Sequence, residues 1–214
     1  MEFNHNFCES RLNDYIGPEI LNSLSSFFIS IIPFIYGFPK DSLLFNFSIL
    51  FVIQGVSSFI YHYYLNWFGK HFDESCMILM MYLGTYNLIK LYFGEGNRNI
   101  NIFSTVNNIY FILFISLNSL PYLDFYFPIL FGIYVKFTLY FLVLTMFKYE
   151  VKYQKWVEPL LIASIGALCW IVSEIHCNDY TKYGHVIWHV LFPIGFYRII
   201  LTVDDLLLSL KYTY

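Results

Sequence analysis

Leu43 to Leu65 reads LLFNFSILFVIQGVSSFIYHYYL, with no Asp, Glu, Lys or Arg anywhere in it. About 20 apolar residues in a helix cross the hydrocarbon core of a bilayer, so this run is long enough to span. It shows no dyad alternation of the kind a membrane barrel needs, so it reads as a helix. Its one side chain that titrates near neutral pH, His62, sits near its end.

The same pattern repeats on both sides. Before it lie the turn Phe38-Pro39-Lys40-Asp41-Ser42 and a first span, Ile20 to Gly37, opened by Gly17-Pro18-Glu19. Proline suits a helix start because its missing N–H has no helical partner there. After it come a loop at Asn66 to Phe72, a third span at Glu74 to Phe93 and the loop Gly94 to Asn101 (GEGNRNIN). A fourth span follows at Ile102 to Leu120 and a fifth at Tyr122 to Phe147. The charged stretch Lys148 to Lys155, where Glu150 and its lysines read as a solvated loop, leads into a sixth span at Trp156 to His176. A loop at Asn178 to Gly184 precedes the seventh, His185 to Leu208. The fold class is therefore an all-α membrane protein, a seven-transmembrane helical bundle with short connections. The chain reads as one domain over 1–214, with a short segment 1–18 and spans over about 19–208.

Composition agrees. The chain is 58% hydrophobic, 22% aromatic and 13% charged, whereas a soluble domain carries about a quarter charged residues. So few charges cannot coat a globule, and lipid must solvate much of the surface. A net charge of −3 gives no basic field for nucleic acid. Its 20 Tyr and 24 Phe exclude a disordered chain. Met1 to Ser10 has two acids and no base, unlike a cleaved signal peptide, so the first span is expected to be an uncleaved anchor. The four cysteines show no CxxC spacing and suggest no thiolate zinc site.

Lys and Arg set the orientation. Arg11, Lys70 and Lys182 fall on the N-terminal side; Lys40, Lys90, Arg98, Lys148, Lys152, Lys155 and Lys211 fall on the other. The positive-inside rule puts the N-terminus lumenal or extracellular and the C-terminus cytosolic.

On this seven-span map the polar residues gather at one face. Glu19 starts span one, Ser58 and His62 end span two, and Asp73 and Glu74 start span three. Glu174 and His176 end span six, and His185 and His189 start span seven. His185 and His189 are four apart and share a helix face, a geometry suited to two ligands of one metal. A third His from another helix would complete a three-His zinc site with an open fourth position. Asp73 could then take the proton of a water acidified by the metal. A His-x-x-x-His pair by itself is weak evidence for a metal, because histidine has many uses. Its weight rises inside a span, where an ionisable residue is costly and functional by default. Tyr61, Tyr63 and Tyr64 read as an interfacial aromatic belt, and Ser57 and Ser58 alone would read as small packing residues. His71 and His176 read as interfacial, and Cys76 and Cys169 as packing residues.

Four stretches resemble the alkaline ceramidases, a family within a wider superfamily of seven-span hydrolases that also holds the adiponectin/progestin receptors and the Per1-like enzymes. Gly55-Val-Ser-Ser-Phe-Ile-Tyr-His62 resembles the family's serine–histidine element, and Asp73-Glu74-Ser-Cys-Met77 its Asp-Glu-x-x-Met. His185-Val-Ile-Trp-His189 resembles its closing His-x-x-Trp-His, and Glu19-Ile-Leu-Asn22 its first-span signature. The resemblance implies zinc on His62, His185 and His189, Asp73 as general base, and Ser58 as an oxyanion or water-orienting partner. It implies cleavage of the ceramide amide to sphingoid base and fatty acid, in the endoplasmic reticulum or Golgi membrane.

The resemblance also implies an N-terminal calcium site. Asn6-Phe7-Cys8-Glu9 matches that region and leaves Glu9 and Glu19 as oxygen donors, but Arg11 stands where an Asn is expected and opposes a cation. The family's Asp near the end of span six appears here as Ser173-Glu174. Cys8 and Cys177 both match, so the resemblance implies a Cys8–Cys177 disulfide, permitted in an oxidising compartment. Two other readings within the superfamily are a lipid-binding receptor and a Per1-like phospholipid ester hydrolase. A purely structural membrane protein would leave the convergence of three His, an Asp and a Ser without a reason.

Overall fold

The computed structural model describes residues 7–94, 97–120 and 126–212. Among the described residues there are helices and no strand. In chain order they are α1 (Cys8–Leu12), α2 (Ile20–Tyr36), α3 (Ser42–Tyr64), α4 (Trp67–Phe93), α5 (Arg98–Asn118), α6 (Phe127–Lys148), α7 (Val157–Ile175) and α8 (Tyr183–Tyr212). Six of them, α3 to α8, are long and apolar enough to cross a membrane. The expected first span is the shorter α2, with 17 residues.

Several boundaries differ from the sequence reading, each for a local reason. Asn66 to Phe72 is not a loop, because α4 begins at Trp67. The Asn66 side chain caps it by accepting the Gly69 N–H at 2.7 Å. Gly69 is there for space: a Cβ would stand 2.9 Å from the Tyr61 Cα. Lys70, read as a loop cation, is buried within the helix. The GEGNRNIN loop ends early because Asn97 accepts the Asn99 N–H at 2.9 Å and starts α5 at Arg98; its residues 95–96 lie outside the described residues, as do 122–125 of the expected fifth span. α8 starts at Tyr183 rather than His185, which sets both histidines inside the helix. Tyr61 is buried rather than part of a belt, while Tyr63 and Tyr64 are exposed.

The chain forms two compact units. One consists of the residues before Glu74 together with those after Val151; the other is Glu74–Val151. In the first, α2 packs on α3 and α8, and α7 packs on α8. Small residues permit the close approach: a Cβ on Gly55 in α3 would stand 2.6 Å from the Ser30 backbone N of α2. Gly166 of α7, and Gly184 and Gly195 of α8, do the same between those two helices. At the end away from the histidines, the Asp204 carboxylate accepts the Lys40 and Asp41 N–H groups at 2.9 and 2.8 Å. Asp41 caps α3 and pairs with Lys211 at 2.9 Å. Burial disfavours its charged form, yet the Lys211 hydrogen bond and the Leu43 and Leu44 amides outweigh that and hold the carboxyl below its usual range.

The second unit is tied by buried polar contacts. Tyr134 donates to Asn107 Oδ1 at 2.6 Å, Asn107 donates to the Tyr82 carbonyl at 3.2 Å, and Thr85 meets Thr138 at 2.5 Å. Such bonds hold helices together where lipid offers no hydrophobic drive.

Glycine packing gives a test of the α7–α8 contact. A Cβ on Gly184 would lie 2.7 Å from the Ser173 Cβ, whereas one on Gly132 meets nothing within 4 Å. Gly184→Val is expected to destabilise the detergent-purified protein by about 1–3 kcal/mol, the usual cost of overpacking. Gly132→Val serves as the control in thermal unfolding. Equal melting of the two variants would refute the close contact.

Candidate metal centre

The first unit brings three histidines to one point. His62 lies in the last turn of α3, and His185 and His189 in the first two turns of α8. Their candidate ligand atoms all lie within 4.8 Å of one another. Ring centroids are 4.9 Å apart for His62–His185, 5.2 Å for His62–His189 and 4.7 Å for His185–His189. All three are buried, at 1%, 5% and 2% exposure.

Each ring turns its Nδ1 toward an oxygen. His62 Nδ1 lies 2.6 Å from Glu19 Oε2. His189 Nδ1 lies 2.8 Å from Ser25 Oγ and 3.5 Å from Ser26 Oγ. His185 Nδ1 faces Glu174 Oε1 at 3.6 Å, and neither atom has another hydrogen-bond partner. With each Nδ1 turned toward an oxygen, the Nε2 atoms are left as the candidate ligand atoms. Three imidazoles with no hard oxygen donor among them suit zinc, and an oxygen behind each ring is the usual support of a histidine ligand. Phe7 lies against two of the rings, 5.2 Å from His62 and 4.6 Å from His185, and makes the surroundings apolar.

Asp73, on the first turns of α4, is buried in the same unit. Its Oδ1 accepts from Gln54 Nε2 at 2.6 Å and lies 3.5 Å from Ser57 Oγ. Ser58, next to Ser57 in α3, is buried as well. Ser58 Oγ also meets Ser26 Oγ at 2.9 Å. The structure therefore assembles His62, His185, His189, Ser58 and Asp73 in one buried region.

Glu9 and Glu19 have protein partners. The Glu9 oxygens accept the Leu21 and Asn22 N–H groups at 2.8 and 2.9 Å, which caps the bare start of α2. Glu19 accepts from Asn22 Nδ2 at 3.1 Å and from Ser10 Oγ, besides its bond to His62. Arg11 pairs with Glu174 at 3.1 Å. Asn6 lies outside the described residues. Cys8 and Cys177 form a disulfide across 5.3 Å of Cα separation; Cys76 and Cys169 are not disulfide-bonded. His176 is exposed, and His71 stacks on Trp67 at 5.2 Å, so neither joins the centre.

Sequence reasoning did not assign Ser25, Gln54 or Glu174 as partners of these groups. A signal existed for two of them. Gln54, Ser58 and His62 fall at i, i+4 and i+8, a polar stripe along an apolar span. Glu19, Asn22 and Ser25 fall at i, i+3 and i+6 along the start of α2.

A model of the ceramidase family matches residues 2–213, essentially the whole chain. No curated protein matches the chain.

Proposed function

We propose a mechanism from the premise that the chain belongs to the ceramidase family. It is a hydrolase acting on the amide bond of ceramide. In this reading hydrolysis is zinc-dependent, takes place within the membrane, and yields a sphingoid base and a fatty acid. The observation that carries it is three buried histidines whose ligand atoms lie within 4.8 Å, each with an oxygen behind its ring.

His62, His185 and His189 would hold the metal. Bound zinc would supply Lewis acidity to the amide carbonyl and acidify the attacking water. Asp73 accepts the proton of that water as it adds to the carbonyl carbon, and returns it to the amide nitrogen as the C–N bond breaks. Gln54 fixes one oxygen of Asp73 and leaves the other for this exchange. Ser58 Oγ donates to the carbonyl oxygen as negative charge develops there. Burial of all five side chains keeps bulk water from weakening these interactions.

The topology proposed with this chemistry has seven spans. α2, about 25 Å long at 1.5 Å per residue, serves as the first, near the lower limit for crossing a core of about 30 Å. The N-terminus is lumenal and the C-terminus cytosolic, in the endoplasmic reticulum or Golgi membrane. One domain covers the chain, supported by a family match that runs through both compact units. Glu9 and Glu19 act structurally in this reading rather than as calcium ligands, since their oxygens accept from protein donors.

Chelator treatment of the detergent-purified protein is expected to stop release of fatty acid from labelled ceramide, and zinc to restore it. Full hydrolysis by metal-free protein would remove the zinc reading. Zinc content of about one per chain with cleavage of phospholipid esters, and none of ceramide, would overturn the amide assignment.

A further inference from the structure

Glu174 lies at the end of α7, where four separate observations meet. Its Oε1 faces His185 Nδ1 at 3.6 Å, and both atoms are buried with no other hydrogen-bond partner. Its Oε2 accepts the Cys8 N–H at 3.1 Å and the Arg11 guanidinium at 3.1 Å. Arg11 also donates to the Glu174 backbone carbonyl at 2.8 Å. Cys8 is in turn bonded through sulfur to Cys177, three residues beyond Glu174.

Together these contacts form a clasp. The carbonyl that Arg11 grips belongs to the last turn of α7, where helix carbonyls lack partners and positive charge is favoured. The disulfide holds the backbone of α1 against the same turn. One face of the carboxylate is thereby fixed by a guanidinium and an amide, and the other face is presented to an imidazole. His62 has a carboxylate behind its ring in Glu19, and His189 has a hydroxyl in Ser25. Glu174 fills the corresponding place behind His185, and it is the one of the three that is held from the N-terminal segment by a cation.

We infer that Glu174 is a positioning residue for His185, and that Arg11 and the disulfide-anchored Cys8 amide act through it by holding its carboxylate in place. The inference rests on the proposed zinc site. An oxygen partner that orients a histidine ligand typically contributes 10–100-fold to metal affinity. Glu174 approaches Nδ1 in that role, leaving the opposite ring nitrogen for the metal. Arg11, which opposes a second cation at the N-terminal segment, has here a structural use of its own.

The test is zinc affinity of the full-length purified protein, measured by competition with a chromophoric chelator and independent of turnover. Wild type is expected to bind about one zinc. Glu174→Ala should weaken binding by about 10–100-fold. Glu174→Gln, which keeps an oxygen opposite Nδ1, should recover part of the loss. Arg11→Ala should weaken binding by a smaller factor, with Arg11→Lys closer to wild type. The visible spectrum of the cobalt-substituted protein should change in Glu174→Ala, because the ligand field senses a tilted ring where a merely structural role would leave it unmoved. Wild-type affinity and an unchanged cobalt spectrum in Glu174→Ala would overturn the inference while leaving the zinc site intact. No zinc in the wild type would instead overturn the site, and the inference with it. Should Glu174→Ala fail to fold, Arg11→Ala decides: weakened affinity supports the clasp and unchanged affinity refutes it.

Discussion

Changing His189 to alanine is expected to remove zinc and ceramide hydrolysis together. The side chain is 2% exposed, with His185 4.7 Å and His62 5.2 Å from it between ring centroids. Alanine leaves two imidazoles where a catalytic zinc site has three protein ligands and keeps one position open for chemistry. It also leaves Ser25 Oγ without the ring it bonds at 2.8 Å. Losing several kcal/mol of charge stabilisation at the carbonyl lowers the rate by roughly a thousandfold or more. Metal analysis and labelled ceramide turnover on the same preparation check both halves. The fold should persist, because α8 keeps its packing on α2 and α7 through residues beyond this one. A His189→Ala protein that keeps stoichiometric zinc and turnover would show that the three-histidine cluster is structural. His62→Ala offers a parallel test from a different helix, since its ring is set by Glu19 rather than by a serine.

The clustered histidines were legible in the sequence and the groups behind their rings were not, for a physical reason. His185 and His189 announce themselves because four residues make one helix turn, a fact internal to a single helix. The expected gathering of Glu19, His62, Asp73 and Glu174 with them needed only the order of helix starts and ends. What Glu174 touches depends on where α1 lies against the end of α7, and no periodicity encodes that. The start of α4 was hidden for a similar reason. Gly69 and Lys70 carry the composition of a loop. Tertiary packing overrides it: the glycine is needed where α4 crosses close to Tyr61, and the lysine is buried at 8% exposure. Tyr61 reads as an interfacial aromatic beside Tyr63 and Tyr64, yet successive residues on a helix point in different directions. Only Tyr61 of the three turns inward, where its ring packs on Phe7 at 5.8 Å.

Asp73→Asn is expected to separate the metal from the proton. The carboxylate is 7% exposed and its Oδ1 is held at 2.6 Å by Gln54. Asparagine preserves the size and one oxygen but cannot take up a proton at the working pH. Asp73 is not among the clustered ligands, so zinc content should stay at the wild-type level. The hydrolysis rate at saturating ceramide should fall by about 10²–10⁴-fold, the usual contribution of a positioned general base. Retained zinc with lost turnover is a result that neither unfolding nor loss of a ligand can imitate. It would place Asp73 in the proton path rather than in the metal site. Gln54→Ala extends the argument one residue outward: it frees Oδ1 while leaving the carboxylate chemistry in place, so the rate should fall less than in Asp73→Asn. Should Asp73→Asn keep more than about a tenth of the wild-type rate, against the hundredfold minimum of a general base, the proton must leave by another route. Asp73 would then be a buried carboxylate whose work is to hold Gln54 and Ser57 against α4.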